Sequence, residues 1–440
     1  MKDLGEVYVN RRTMKLDTVK GDLVVDDGVV EASGPEGVKV KGRVHCSGYC
    51  EFLGDLEALE IVSASGDVNV RGSLRAGFVD VKRGSLEVDG DVEAKTLRVS
   101  RKLVASGNVS SDNVNIGGSL EANRDVKSNR VHVGGSLRVR NNAEIDYIDV
   151  GGSATVEGST KSKTVKVGGT FKSVGTVEAE DVDVGGTFKA EDTVSIQSID
   201  VGGTVVLSGG VVERTIDVGG TLKSSEPLEF GEIDVGGMVK LAGGKGRDIQ
   251  VGGSLKSDGD LTFYRIQVGG TVKIDGDGRG QEIEVGGALK VDGSLTLEER
   301  LKVGGKVSVG GDIEAGEVRV GGKIEAYTVK ARKYIETTVL RTRRGAKAVR
   351  IEIAKRGEVE GPLVGEVIII NDRARVEDVY GDDVQLRGGC RARSVYGRKV
   401  RAENGCDVDE IIYTESLRSD PSVRLRSAPQ KTEKLPEPPL

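Results

Sequence analysis

The sequence predicts an all-β protein: a single-stranded parallel β-helix with about 17 residues per turn. Three observations predict it. An aliphatic-Gly-Gly triplet begins at Ile116, Val133, Val150, Val167, Val184, Val201, Val218, Val235, Val251, Val268, Val285, Val303 and Val320, twelve steps over 204 residues with one step of 16 and one of 18. The residues around each triplet alternate between apolar and polar, the period-two signature of a strand with one buried face. The composition, with 65 Gly, 8 Pro, no Trp and 3% aromatic residues, leaves small and β-branched side chains to do the packing.

The elements follow in chain order. Residues 1–19 form an N-terminal segment, and residues 20–330 form the main β-helix, whose regular Val-Gly-Gly repeats occupy 114–330. Upstream of Ile116 the glycines erode, but Leu97-Arg98-Val99, Val79-Asp80-Val81, Val68-Asn69-Val70 and Val38-Lys39-Val40 keep the rhythm. Two residues before each triplet stand Val114, Val131, Ile148, Val165, Val182, Ile199, Ile216, Ile233, Ile249, Ile266, Ile283, Leu301 and Val318, which predicts one strand. Past the glycines Leu120, Leu137, Phe171, Phe188, Val205, Leu222 and their successors predict a second. A looser apolar pair, such as Val194 with Ile196, Leu228 with Phe230 or Leu261 with Phe263, predicts a third and makes the coil three-sided. The glycine pair belongs at a corner, where it reaches positive φ at no steric cost and lets stacked backbones approach.

One such unit cannot bury its own apolar face, so consecutive units must stack, each strand pairing in parallel with its copy one turn on. Two dozen turns at about 4.8 Å each would make a rod on the order of 110 Å. Between Lys330 and Arg356 the pattern falters in a basic stretch. Residues 331–425 then continue the coil in a second dialect, marked by Tyr380, Tyr396 and Tyr413 and by Val367, Val384, Val400 and Leu417. Residues 426–440 close the chain in a Pro-rich tail, disordered or draped over the last turn as a cap or docking peptide, since proline cannot donate to a ladder.

Charge and motif content exclude several functions. Lys+Arg 64 against Asp+Glu 70 gives a net charge of −6, which disfavours nucleic acid as a partner. The start carries no apolar run of signal-peptide length and nothing downstream approaches a membrane span, which points to the cytoplasm and leaves membrane association open. The Gly-Gly pairs are no phosphate loop, because no Gly-x-x-x-x-Gly-Lys-Ser/Thr occurs. His45, Cys46 and Cys50 make half a metal site without its partner pair, so no metal and no cofactor is expected. Cys390 and Cys406 fall one turn apart as buried thiols, at a spacing that also permits a disulfide. With only His45 and His132, short corners and no acid-base pair in a cleft, the chain is expected not to be an enzyme.

Two charged features are candidate partner surfaces. Lys223, Lys240 and Lys256 belong to a lysine column six residues after an aspartate ladder of Asp183, Asp200, Asp217 and Asp234, and the two columns are expected to offset each other across the corner. Arg341, Arg343 and Arg344 belong to the basic stretch, the candidate surface for an acidic partner or a membrane surface; without interleaved aromatics it lacks the stacking platform of a single-strand binder.

The recurrent Asp217-Val218-Gly219-Gly220-Thr221-Leu222-Lys223 unit resembles the bactofilins, polymer-forming cytoskeletal proteins. Val379-Tyr380-Gly381-Asp382-Asp383-Val384, Val395-Tyr396-Gly397-Arg398-Lys399-Val400 and the closing Leu435-Pro-Glu-Pro-Pro are similar to their archaeal relatives. The resemblance covers most of residues 60–440. It implies a right-handed, three-sided helix that self-assembles end to end into nucleotide-independent filaments and acts as a scaffold, with itself as first partner and protein clients as second. Family domains are usually shorter than this coil, and bacterial members often begin with a short apolar membrane-binding segment that is absent here. Leu23 and Val25 at one end, and Val423 and Leu425 at the other, are the candidate self-assembly residues, because open strand edges template another copy. The alternative is a non-catalytic binding rod that recognises its partner through the charged columns.

Overall fold

The computed structural model describes residues 5–440, which contain strands and turns and no helix. The chain divides into two compact units, Met1–Ser225 and Glu226–Leu440. Each is a parallel β-solenoid in which every strand pairs with the strand one turn away.

In the first unit a regular turn holds two runs of strand, as in Val109–Ile116 followed by Ser119–Ala122. The expected first and third strands are therefore one run of eight residues. Val194, Ile196, Ile199 and Val201 all belong to Val194–Val201 and all are buried. Alternation lapses in the middle of the long run: Asp112 and Asn113 both face solvent, and the register passes from Ser111↔Ser128 to Asn113↔Arg130 without pairing Asp112. The strand bends there without leaving the ladder.

The upstream fragments fall into three different columns. Val79–Val81 pairs with Leu97–Val99, Val68–Val70 with Leu86–Val88, and Val38–Val40 with Leu56–Ala58. Steps lengthen there, to 18 residues at Leu74↔Val92 and 21 at Leu23↔Val44. The expected N-terminal segment is also part of the coil: within its described residues, Val7–Asn10 and Thr13–Leu16 pair with Leu23–Ala32.

The glycine pairs sit at a corner for one of the two expected reasons. A Cβ on Gly134 would stand 2.2 Å from the Gly117 carbonyl oxygen, and one on Gly135 would stand 2.6 Å from that of Gly118. Positive φ is not involved, since none of the triplet glycines lies in the left-handed region. Close approach of the stacked backbones alone excludes a side chain.

A second corner is fixed by side chains. Asp125 Oδ1 accepts the Asn142 amide at 3.0 Å, and Asn142 Oδ1 accepts the Ser159 amide at 3.0 Å. Asp91 likewise accepts the Asn108 amide at 2.7 Å. Inside the bend, Ser111, Ser128 and Ser162 hydroxyls donate to carbonyls of the preceding turn (Lys95, Asp112 and Asp146) at 3.2 to 3.3 Å. Buried hydroxyls thus meet their bonding needs by tying rungs together.

In the second unit the same plan continues with Ile233, Ile249, Ile266, Ile283, Leu301 and Val318 buried in one column. The 16-residue step comes from a two-residue corner, Ala242–Gly243, followed by Gly244 at φ 152°. The 18-residue step is absorbed by a bulge opposite Gly280–Glu282. The basic stretch does not interrupt the coil, because Asp312–Glu360 is one unbroken run that pairs onward with Leu363–Ile370.

The later register corrects two expected columns. Tyr380 and Tyr396 do align, but Ile412 takes the third place and Tyr413 lies opposite Gly397. Val384 and Val400 align with Ile368, not with Val367. The 16-residue spacing of this region displaces both expected columns by one residue.

Candidate functional site

The two ends of the coil and its charged columns are the places where the sequence put function. In the first unit, Leu23 and Val25 are fully buried and lie one turn inside the end, paired with Val7 and Val9 on one side and Val44 and Cys46 on the other. The terminal strand is Val7–Asn10, which pairs on one side only among the described residues. Val7 and Arg11 donate their amides to the carbonyls of Asp22 and Asp26 at 2.9 and 2.8 Å. By the alternation of a parallel ladder, Tyr8 and Asn10 turn their N–H and C=O groups to the open side.

In the second unit, Leu425 pairs with Val408 in the two-residue strand Arg424–Leu425, while Val423 sits in the turn before it, its amide donated to Asp420 O at 3.1 Å. Beyond them Gln430–Lys431 pairs with Ile412–Tyr413. This end is therefore partly covered by the chain's own tail. The tail runs on along the coil and brings Leu440 Cδ1 to 2.8 Å from the Cβ position of Gly345.

The lysine column is engaged differently from expectation. In the second unit Lys240 reaches Asp258 at 3.1 Å, Lys256 pairs with both Asp258 and Asp275, and Lys290 reaches Asp292 at 2.8 Å. The partners are acids two residues further along, on the same or the next turn, and not the aspartates before the glycines. These ion pairs hold Asp258 and Asp275 below the usual carboxylate range, chiefly through hydrogen bonds from Lys256 and Lys273. In the first unit Lys223 makes no ion pair among the described residues, since Ser225 occupies the position that Asp258 takes after Lys256. The lysines do not form a free cationic stripe.

The basic stretch is likewise partly satisfied. Arg341 Nε meets Glu360 at 2.8 Å, and the Arg344 guanidinium lies over the Tyr327 ring at 5.8 Å. Arg343 is exposed and free of an ion pair among the described residues.

His45 lies on the opposite strand face from the buried Cys46, so the two cannot share a ligand sphere. Cys390 and Cys406 are buried free thiols. Cys390 donates to Asn371 O at 3.1 Å and Cys406 to Arg387 O at 3.1 Å. Hydrogen bonding with Cys406 and burial push the Cys390 thiol up, which keeps it protonated. His132 Nδ1 lies 2.9 Å from Asp149, one turn on.

Two concave features escaped the sequence reading. In the first unit an open groove of about 580 Å³ follows the small inner column Ala76, Ala94, Ser111 and Ser128. Its flanking charges pair with each other, Arg75 with Glu93 at 2.7 Å and Lys127 with Glu144 at 3.0 Å. In the second unit a trough of about 330 Å³ lies between the Tyr380–Tyr396 column and Leu435–Pro438 of the tail. The only sequence signals were the recurring small residues at the bend and the Tyr-Gly dipeptides.

These features define a parallel β-solenoid in each unit: in the first, the strand Val7–Asn10 pairs on one side only among the described residues, and in the second, Gln430–Lys431 of the tail pairs onto Ile412–Tyr413. No family model, curated protein or solved structure matches the chain.

Proposed function

We propose that the chain is a non-catalytic structural scaffold that self-assembles through its coil ends into nucleotide-independent filaments, in the manner of the bactofilins it resembles, and that it works in the cytoplasm. The observation that carries this reading is the terminal strand Val7–Asn10, which pairs on one side only among the described residues and turns its Tyr8 and Asn10 backbone groups outward, the Tyr8 carbonyl held there by the Arg12 side chain at 3.0 Å. Its only buried residue is Val9; Tyr8 is exposed. Such an edge extends a parallel ladder without any ligand. The competing reading, a binding rod working through Lys223, Lys240 and Lys256, loses support because Lys240 and Lys256 are already ion-paired.

Electron microscopy of the purified protein at physiological salt tests the proposal. Filaments are expected, and Tyr8→Pro should abolish them without unfolding the coil, because that proline removes only an outward-facing donor. Isolated particles of the unaltered protein at high concentration would sink it.

A further inference from the structure

The tail of the second unit runs back over four turns of the coil. Thr432 donates its amide to Tyr413 O at 2.9 Å, Leu435–Pro438 lie against Tyr396, Tyr380 and Val364, and Leu440 Cδ1 stands 2.8 Å from the Cβ position of Gly345. Eight residues in polyproline geometry reach about 25 Å, enough for four rungs of about 4.8 Å. Only Leu435 and Leu440 are partly buried in the segment Leu435–Leu440; the three prolines and Glu437 between them are exposed.

The surface beneath is shaped for such a segment. The Tyr380 and Tyr396 rings stack with centroids 4.6 Å apart, one turn from each other. Beside them Gly365, Gly381 and Gly397 form a column without side chains. Gly365 and Gly381 line the trough with backbone, and a Cβ on Gly381 would turn inward to the core, 2.9 Å from the buried Val384 Cγ2. Tyrosine walls with a flat floor are how folded domains hold polyproline helices, whose backbone forms no internal bonds and is already extended. No side chain of the groove forms an ion pair with Glu437, whose partner is Lys434 of the tail itself at 3.7 Å. The middle position therefore carries no charge recognition.

We propose that the Tyr380–Tyr396 groove is a peptide-recognition site for a proline-rich segment of a partner protein with the pattern Leu-Pro-x-Pro-Pro-Leu, and that the chain's own tail is its competing intramolecular occupant. The two leucines anchor the ligand and the prolines keep it extended. The tail is held by two leucines and short pairings over exposed residues, so a partner segment displaces it without unwinding the coil. Attachment in cis raises the tail's effective concentration, which sets the threshold the partner must exceed.

The test uses the full chain carrying Leu435→Asp and Leu440→Asp, which frees the groove and leaves every coil residue unchanged. The probe is a fluorescent peptide Leu-Pro-Glu-Pro-Pro-Leu, followed by anisotropy. Binding at least tenfold tighter to the variant than to the unaltered chain is expected, and the same peptide with both leucines replaced by aspartate should not bind. Adding Tyr380→Ala to the variant should also remove binding. Equal binding to variant and unaltered chain, or equal binding of the two peptides, overturns the proposal. So does an unaltered chain that self-associates only with its tail intact while the open variant ignores the peptide, because the occupant is then a second copy.

Discussion

Phe171 and Phe188 stack one turn apart in the first unit, their ring planes within 3° and their centroids 5.2 Å apart, both fully enclosed. Their column also holds Leu137, Ala154 and Val205 among its neighbouring rungs. Ala154 directly below Phe171 shows how the column balances volume between rungs. Phe188→Ala should therefore cost roughly 3–5 kcal/mol, and Phe188→Leu much less, since leucine already fits this column. Local hydrogen exchange at residues 187–190 measures both, because a solenoid opens in parts and a single melting point does not.

Gly134 should tolerate no side chain. Its Cβ position is 2.2 Å from the Gly117 carbonyl oxygen, a backbone atom that can move only by spreading two rungs. Gly134→Ala is expected to destabilise the first unit by roughly 2–4 kcal/mol. Gly5→Ala, with nothing within 4 Å, is the control and should leave thermal unfolding unchanged.

The aspartate corner predicts a graded response. Asp125 Oδ1 accepts both the Asn142 amide at 3.0 Å and the Asn141 side-chain amide at 2.7 Å. Asp125→Ala should speed exchange of the Asn142 amide by roughly fivefold to tenfold, the loss of about one hydrogen bond. Asp125→Asn should change it little, because Asn142 itself makes the same bond one turn later.

Glu325 in the second unit ties its stability to acid. Hydrogen bonds from Lys306 and Lys323 hold its carboxyl at about 2, below its ordinary 4.5. A carboxyl lowered by folding contributes stability that is fully present above 4.5 and lost as pH falls from there through about 2. Glu325→Gln should lower the melting temperature at pH 7, and the gap to the unaltered chain should close near pH 2. A gap that persists unchanged at pH 2 would rule the ion pairs out as its source.

The period, the parallel pairing and the buried columns were legible because each rung repeats the same apolar-polar-apolar triplet. Val114, Val131 and Ile148 declare their depth without reference to distant residues. The Tyr413 register was not legible, since spacings of 16 and 17 look alike in a string: the offset is 16 from Arg391↔Asp407 through Gly397↔Tyr413, and the bulge that follows restores 17 at Lys399↔Ser416. Val7–Asn10 hides as the outermost strand because the 16-residue step from Val7 to Leu23 carries no glycine pair to mark it. The acids beside the lysines were overlooked for a similar reason: Asp258, Asp275 and Asp292 read as turn residues, yet the strand direction brings their carboxylates to Lys256, Lys273 and Lys290. The tail's landing place could not be read at all, because proline forms no ladder and leaves no periodic trace.

The near-constant offset between paired strands has a kinetic consequence. From Val92↔Val109 through Thr164↔Asp181, every rung closes a loop of 17 residues, so no step of winding must wait for distant parts of the chain. Once a first few rungs form a nucleus, each later one zips onto a finished template at nearly the same entropic cost. Growth of that kind can begin while the chain is still emerging from the ribosome and advance with synthesis.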